Sequence, residues 1–236
     1  MLGVLVRYER RGAVGLITMD DGKVNVMSVD MQDQIHRALD VAEQDGVAVV
    51  LKGREGIFSA GFDLRVMSGS ASEKLAMVMG GLRLAERVFS FPGPVVMACT
   101  GHAIAMGAFL LLCGDYRLGV DGPYRLVANE VALGMYVPRT CVEIMRHRLI
   151  PAALDRAVGL AEEFSGEKAL ACGFLDELAD PGEVDDVAMI RAETFAALDR
   201  EAHRVSKMRA RAGAIEAVHR ALAEDDRNLA SRLGPA

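Results

Sequence analysis

The chain contains a glycine turn written Phe58-Ser59-Ala60-Gly61-Phe62-Asp63-Leu64, which leads into a predicted helix. A second turn of this kind follows, written Gly101-His102-Ala103-Ile104-Ala105-Met106-Gly107-Ala108-Phe109. Two backbone N–H groups at separate helix starts are what an enzyme needs to hold an oxyanion. A third segment, Ala128-Asn129-Glu130-Val131, offers one carboxylate that can move protons. Together the three segments predict an enzyme site built around a stabilised oxyanion.

Short apolar runs alternate with helical patterns around these turns. Segments 47–52 and 95–99 predict strands buried on both faces, and segment 53–61 predicts a loop. Ser28 is the predicted N-cap of a helix with one apolar face. Residues 72–89 also have a helical pattern, although the pair Gly80-Gly81 weakens it. The alternation of strands and helices predicts an α/β core.

The last part of the chain has two long helical patterns, over residues 185–198 and 206–222. We therefore divide the chain into an α/β core of residues 1–184 and a helical region of residues 185–236. That region is expected to pack on the core or on a neighbouring subunit. Its basic residues are predicted to form a solvated helix face, and they are Arg204, Lys207, Arg209 and Arg211.

Composition excludes several classes of function. The chain has 236 residues, of which 51% are hydrophobic, so it can bury a sizeable core. A net charge of −6 argues against a nucleic-acid surface. Tryptophan is absent and aromatic residues make up 5% of the chain, which argues against stacking platforms for bases.

The cysteines and the apolar segments indicate a cytoplasmic protein. None of the four cysteines belongs to a CxxC pair, and all have apolar neighbours, so we predict reduced core residues. They are Cys99, Cys113, Cys141 and Cys172. The first residues lack the apolar region of a signal peptide. Segment 94–113 is almost wholly apolar, but its glycines, proline, threonine and histidine favour a buried strand, turn and helix over a membrane span.

The three segments, preceded by the turn Lys23-Val24-Asn25, resemble the crotonase superfamily, the enoyl-CoA hydratase/isomerase family. The motifs occur in the family's order, and the resemblance covers almost the whole chain. It implies an α/β fold of the ClpP/crotonase type, a β-β-α superhelix with a helical C-terminal region that builds trimers. It further implies an acyl-CoA substrate of fatty acid metabolism and a homotrimer or a hexamer. No metal or redox cofactor is implied, because coenzyme A is part of the substrate.

The resemblance also assigns roles to residues. By position in the motifs, the backbone N–H groups of Phe62 and Met106 bind the thioester carbonyl, and one such donor is typically worth roughly 3–4 kcal/mol. Many relatives carry glycine where Met106 stands. The resemblance places coenzyme A along the first turn, with Arg65 near its phosphates. The residues predicted to bind it are Asn25, Ser59, Ala60, Gly61, Asp63, Leu64, Arg65 and Phe109.

Several polar residues have simpler interpretations. Asp63 and Asp115 stand where helix caps are expected, and Arg65 can be a solvated arginine. His102, beside the second turn, is predicted to be a hydrogen-bonded structural residue. The remaining histidines show no metal-ligand spacing.

Glu130 is the predicted catalytic residue. It stands in the apolar stretch 126–135, where burial would raise the pKa of its carboxyl toward the range of a general base, and it matches the family's catalytic glutamate. The family's hydratases carry a second glutamate where this chain has Phe109. One carboxylate suits a different reaction, in which a proton leaves C2 of a 3-enoyl-CoA and returns at C4, while an apolar site excludes water.

We therefore predict isomerisation of 3-enoyl-CoA to 2-enoyl-CoA. One alternative is an enoyl-CoA hydratase in which Glu130 alone holds the water. An alternative of another class is a non-catalytic acyl-CoA-binding protein, which Phe109 favours and Glu130 opposes.

Overall fold

The computed structural model describes residues 3–233. The strands are β1 (Val6–Arg11), β2 (Val14–Met19), β3 (Ala48–Lys52), β4 (Gly56–Ser59), β5 (Val95–Cys99), β6 (Gly101–Ile104), β7 (Tyr116–Val120), β8 (Leu126–Val127) and β9 (Glu177–Ala179). The helices are α1 (Val29–Asp45), α2 (Leu64–Met67), α3 (Ala71–Phe89), α4 (Met106–Leu112), α5 (Arg139–Arg148), α6 (Pro151–Leu160), α7 (Gly166–Cys172), α8 (Val184–Ala196) and α9 (Arg200–Leu233). A 3₁₀ turn covers Val131–Leu133.

Two sheets run through the molecule. The larger has six strands in the order β1-β2-β3-β5-β7-β9, and the smaller has three strands in the order β4-β6-β8. Among the strands within residues 3–233, β1 and β2 pair antiparallel, and the other strand pairs are parallel. The pairs β3/β4, β5/β6 and β7/β8 each place one strand in either sheet, and helices follow. This β-β-α superhelix confirms the predicted crotonase fold.

The core forms where sequence patterns predicted apolar faces. The Ser28 hydroxyl accepts a hydrogen bond from the Met31 N–H at 3.2 Å, which confirms the predicted cap of α1. Helix α3 continues through the pair Gly80-Gly81, and side chains from other elements pack directly against both glycines. A Cβ on Gly81 would stand 2.6 Å from the Phe62 ring, and one on Gly80 would stand 2.3 Å from the side-chain oxygen of Gln32. Because these two glycines have no side chain, Phe62 and Gln32 can pack closely against the helix.

The smaller sheet was not predicted from the sequence. Segment 53–61, predicted as a loop, contains β4, and the second glycine turn contains β6. Here two backbones approach so closely that a Cβ on Gly101 would stand 1.9 Å from the carbonyl carbon of Gly56. Glycine is required for this contact, and its presence weakens the strand pattern that β-branched residues would give.

The C-terminal helices cover the chain's own core. Val184, Ala188 and Ala192 of α8 are buried against the larger sheet, and α9 packs on α3 and α5. The predicted boundary at residue 184 thus falls at the start of a helix that belongs with the sheet. Assembly through residues 185–236 stays a prediction. Within the described range, no helix is both long enough and apolar enough to cross a membrane.

The basic residues of α9 do not all face solvent. Arg204 and Arg209 are exposed, but Lys207 and Arg211 are buried, so the predicted solvated face is wrong for these two. Each of them lies 2.7 Å from a carboxylate oxygen of Asp115. Asp115 also accepts the Val95 N–H at 2.8 Å, so its interpretation as a helix cap is wrong as well. Burial lowers the pKa of Lys207 to about 8.

All four cysteines are buried and free, which confirms their predicted place in the core.

Candidate active site

The first glycine turn is held in shape by two buried polar side chains. Asn25 has a positive φ of 53°, and its amide donates to the carbonyls of Met19 and Phe58 at 3.0 and 3.2 Å. The Ser59 hydroxyl donates to the Asn25 carbonyl at 2.7 Å and accepts the Gly61 N–H at 3.1 Å. Both side chains use these hydrogen bonds within the protein. Their contact with coenzyme A stays a prediction.

The two glycine turns touch each other. Gly61 has a φ of +85°, and a Cβ there would stand 2.9 Å from the Ile104 carbonyl and 3.3 Å from the Met106 nitrogen. A Cβ on Gly107 would stand 2.4 Å from the Ser59 carbonyl. This contact brings the start of α4 against the start of α2. The two predicted oxyanion donors therefore come from neighbouring turns.

The N–H groups of Phe62 and Met106, the two predicted oxyanion donors, belong to residues that differ in exposure, since Phe62 is half-buried and Met106 is fully buried. Among the loop and cap hydrogen bonds of residues 3–233, neither group donates one. The Phe62 ring and the Met106 sulfur both pack toward Gly81 of α3. Since the Met106 side chain fills core space next to Gly81, a residue larger than glycine fits at this position.

Glu130 lies on the wall of a cavity of about 830 Å³. It is 7% exposed, and its Oε2 has no hydrogen-bond partner in the described part of the chain. Burial raises the pKa of Glu130 to about 7. Its backbone carbonyl accepts hydrogen bonds from Leu133 and Met135, which fixes the segment that follows. Glu130 is thus a carboxylate poised to exchange a proton near neutral pH.

Five of the predicted site residues line this cavity: Ala60, Phe62, Leu64, Phe109 and Glu130. The other six predicted residues lie outside the lining: Asn25, Ser59, Gly61, Asp63, Arg65 and Met106. The backbone nitrogen of Met106 lies in the contact between the two glycine turns.

Asp225 also lines the cavity, but its carboxylate is fully engaged. It accepts the backbone N–H groups of Arg139 and Thr140 at 3.1 and 2.9 Å and the Thr140 hydroxyl at 2.8 Å. Asp225 was not predicted, and neither were the other lining residues from α9, Asn228 and Leu229. They reach the cavity through a helix far away in sequence, so no local motif marks them.

Asp63 and Arg65 behave as their simpler interpretation predicted. Asp63 caps α2 by accepting the Arg65 N–H at 2.9 Å, and its carboxylate pairs with the Arg65 guanidinium at 2.7 Å. This hydrogen-bonded pair lowers the pKa of Asp63. The Arg65 side chain is 86% exposed, so it can meet a ligand at the surface of the turn. Its predicted contact with phosphate is untested.

Two further titratable residues belong to the second glycine turn and to the cavity wall. His102 accepts the Arg125 N–H on Nδ1 at 2.9 Å, as expected of a structural histidine. Cys141 lines the cavity and is completely buried. Burial, with Glu130 nearby, raises the pKa of Cys141 well above its ordinary value. Within residues 3–233, no three His, Cys, Asp or Glu side chains are grouped so that they could hold a metal ion.

Comparisons with known proteins agree on one family. The family model described as Enoyl-CoA hydratase/isomerase matches residues 9–233. A structure from Mycobacterium tuberculosis, described as an enoyl-CoA isomerase, shares 46% identity with a TM-score of 0.91, over 94% of this chain and 98% of that one.

A structure from Mycobacterium marinum, described as an enoyl-CoA hydratase, shares 44% identity with a TM-score of 0.91, over 98% of this chain and 100% of that one. A probable enoyl-CoA hydratase of Mycobacterium avium is 29% identical over 217 residues, which are 90% of this chain and 82% of that protein. The descriptions of these relatives thus name both activities, and the Mycobacterium tuberculosis protein is itself described as an isomerase in one structure and as a probable hydratase in another. The chain belongs to the enoyl-CoA hydratase/isomerase family of the crotonase superfamily, a family of enzymes that act on acyl-CoA thioesters.

Proposed function

We propose that this enzyme converts 3-enoyl-CoA to 2-enoyl-CoA, with Glu130 as its single acid and base. The observation that supports this proposal is the state of Glu130, which lines the cavity, has a buried Oε2 without a hydrogen-bond partner in the described part of the chain, and has a pKa raised to about 7. Phe109, almost fully buried, occupies the position of the second glutamate in the family's hydratases.

In the proposed mechanism, the thioester oxygen accepts hydrogen bonds from the N–H groups of Phe62 and Met106. Glu130 removes a proton from C2, and the negative charge spreads onto the thioester oxygen, where the two donors stabilise it. Glu130 then returns the same proton to C4, and the double bond moves from C3–C4 to C2–C3. The reaction needs no further cofactor, since the thioester of coenzyme A supplies the activation.

A second candidate is hydration of 2-enoyl-CoA. The observation that favours it is Asn129, whose Oδ1 is buried without a partner on the same wall as Glu130. A water molecule between these two oxygens would find two acceptors. The apolar ring of Phe109 opposes this reading, because it offers the water nothing to bind. A non-catalytic acyl-CoA-binding protein is the third candidate and has the least support, because binding alone does not require a carboxyl group whose pKa is raised to about 7.

Product analysis separates these functions. Purified protein is incubated with a 3-enoyl-CoA and, separately, with a 2-enoyl-CoA, and the products are separated by chromatography. We expect 2-enoyl-CoA from the first substrate and no 3-hydroxyacyl-CoA from the second. Rapid hydration of the second substrate, without isomerisation of the first, would overturn the proposal. Binding without turnover of either would support the binding-only alternative.

The pH dependence of the reaction follows from the same carboxylate. The base form of Glu130 removes the proton, so kcat/KM for a 3-enoyl-CoA should rise with pH and reach half of its plateau near pH 7. An unperturbed glutamate would give this rise near pH 4.5. Initial rates in buffers of constant ionic strength from pH 5 to about 9 test the prediction. A flat profile above pH 6 would contradict the assigned base.

The contact between the two turns predicts a second effect on catalysis. Gly61→Ala adds a methyl group where φ is +85° and where the Ile104 carbonyl is 2.9 Å away, so the turns must separate. Since displacing one oxyanion donor typically costs about 10²- to 10³-fold in kcat, we expect a loss of that size. Gly159→Ala is the control, because a Cβ there meets nothing within 4 Å. Equal activity of the two variants would show that the turns tolerate the change.

We further propose a homotrimer or hexamer, active in fatty acid metabolism in the cytoplasm. These proposals rest on the family resemblance, and light scattering coupled to gel filtration measures the assembly.

A further inference from the structure

Helix α5 receives its N-terminal cap from another helix. The first N–H groups of a helix have no partner within it, and a side chain at the N-cap position usually accepts one of them. At this position α5 has Pro138, whose side chain cannot accept a hydrogen bond. Instead the Asp225 carboxylate, on α9, accepts the N–H groups of Arg139 and Thr140 at 3.1 and 2.9 Å. The start of α5 is therefore held by a residue 85 positions beyond Thr140 in the chain.

The contact between Asp225 and α5 is both charged and buried. Asp225 is 6% exposed, Thr140 is fully buried, and the Thr140 hydroxyl donates a third hydrogen bond at 2.8 Å. The dipole of α5 also favours a negative charge at this end of the helix. The neighbouring Glu224 meets the Arg139 guanidinium at 3.3 Å, but both side chains of that pair are exposed. Since exposed ion pairs contribute little, Asp225 is the residue that joins α9 to the start of α5.

Residues 131–138, here called the wall segment, connect Glu130 to α5. Residues 133–138 all line the cavity, and the last four residues of the wall segment have no regular secondary structure. At its start the wall segment is fixed by the Glu130 carbonyl, which accepts the N–H groups of Leu133 and Met135 at 3.0 and 2.8 Å. Its other end runs into the capped start of α5. All of its residues are at least partly exposed, so core packing alone would hold it weakly if the cap were lost.

We propose that Asp225 is a positioning residue: by capping α5 from α9, it holds the wall segment over the cavity and keeps Glu130 buried. Asp225 need not touch the substrate for this role, since its three hydrogen bonds are made to groups of the protein. Loss of the cap would release one end of the wall segment and admit water beside Glu130. The inference rests on the proposed function, because it takes Glu130 as the base.

The test uses the pH profile of the reaction, because its midpoint, unlike the rate itself, does not depend on the amount of active protein. Asp225→Ala removes the cap. Since burial raises the pKa of Glu130 to about 7, water beside it should move the midpoint of kcat/KM for a 3-enoyl-CoA toward 4.5, by about one pH unit or more. We also expect kcat to fall by about 10- to 100-fold, as for a misplaced catalytic group. An unchanged midpoint would overturn the inference and leave the proposed function standing.

Two further variants separate the cap from the charge of Asp225. Asp225→Asn loses the charge but keeps an oxygen that can cap a helix, so its midpoint should stay closer to that of the unsubstituted protein. Glu224→Gln removes the neighbouring charge from an exposed pair and should leave the pH profile unchanged. Equal shifts in Asp225→Asn and Asp225→Ala would overturn the inference, because the charge alone would then explain them.

Hydrogen exchange of the unsubstituted protein tests the cap without any substitution. Amides in the first turn of a helix lack a partner within the helix and normally exchange quickly, but those of Arg139 and Thr140 should be protected by Asp225. Fast exchange at both positions would overturn the inference, whether or not Asp225→Ala folds. Protected amides in a protein that does not convert a 3-enoyl-CoA would instead reject the proposed function, and with it the role of the cap in that reaction.

Discussion

Glu130→Gln should lower kcat/KM for isomerisation of a 3-enoyl-CoA by about 10³- to 10⁴-fold, the upper part of the range for general acid–base catalysis. The expected loss is large because one carboxylate both removes and returns the proton, and the only other carboxylate on the described wall, Asp225, is held by three donors. Glutamine keeps the shape of the side chain but cannot accept the proton. Steady-state kinetics, with acyl-CoA affinity measured in parallel, checks the prediction.

The control is Glu143→Gln on α5, where the carboxylate pairs with Arg146 at 3.4 Å and does not line the cavity. This variant should retain the kcat/KM of the unsubstituted protein. If Glu130→Gln loses less than about tenfold, below the usual range for a general base, another group carries the proton.

Glu130→Gln, which should lower activity, should raise the free energy of unfolding relative to the unsubstituted protein above pH 7. The pKa of Glu130 rises from 4.5 to about 7 on folding, so the folded protein holds a proton that the unfolded chain releases between these pH values. Its contribution to the free energy of unfolding is present below pH 4.5 and is lost as pH rises through 7, by about 3 kcal/mol in total. Glu130→Gln removes this dependence. Denaturant unfolding at pH 4.5 and 8 should show the variant gaining stability, relative to the unsubstituted protein, at the higher pH.

Asp115→Asn should lower the free energy of unfolding by about 3–5 kcal/mol, because it leaves two buried cations without their counter-charge. Lys207 and Arg211 are 8% and 5% exposed, and both reach Asp115 at 2.7 Å. For a chain of this size the change corresponds to a fall of about 10 °C in Tm. Calorimetry or denaturant unfolding at pH 7 measures it.

Asp185→Asn provides the matched control. Asp185 also pairs with a lysine, Lys52, but its side chain is 52% exposed. Exposed ion pairs contribute about 1 kcal/mol or less, so this variant should unfold close to the unsubstituted protein. Equal losses in the two variants would show that burial does not set the strength of the Asp115 cluster.

Local patterns predicted the parts of the fold whose partners are near in sequence. The Ser28 cap, the continuous α3 and the buried β5 follow from spacing and polarity over one element. Glu130 could be singled out because its neighbours are apolar, and the structure accordingly buries it.

Long-range contacts explain what the sequence could not predict. Asp115 meets Lys207 and Arg211 across more than ninety residues, so a helical pattern alone made these cations look solvated. The strands of the smaller sheet are short and carry glycines that permit backbone contact. The wall contributed by α9 depends on how that helix lies over α3 and α5.

The protonation state of Cys141 determines whether the product of the proposed reaction can alkylate the enzyme. The conjugated 2-enoyl thioester of the proposed reaction is an electrophile at C3, and a thiolate beside it would add to that carbon and alkylate the protein. Cys141 lines the same cavity, but burial keeps the pKa of its thiol well above the ordinary value. Since the thiolate is the reactive form, the protonated thiol does not attack. The cavity can therefore hold its own product without being inactivated by it.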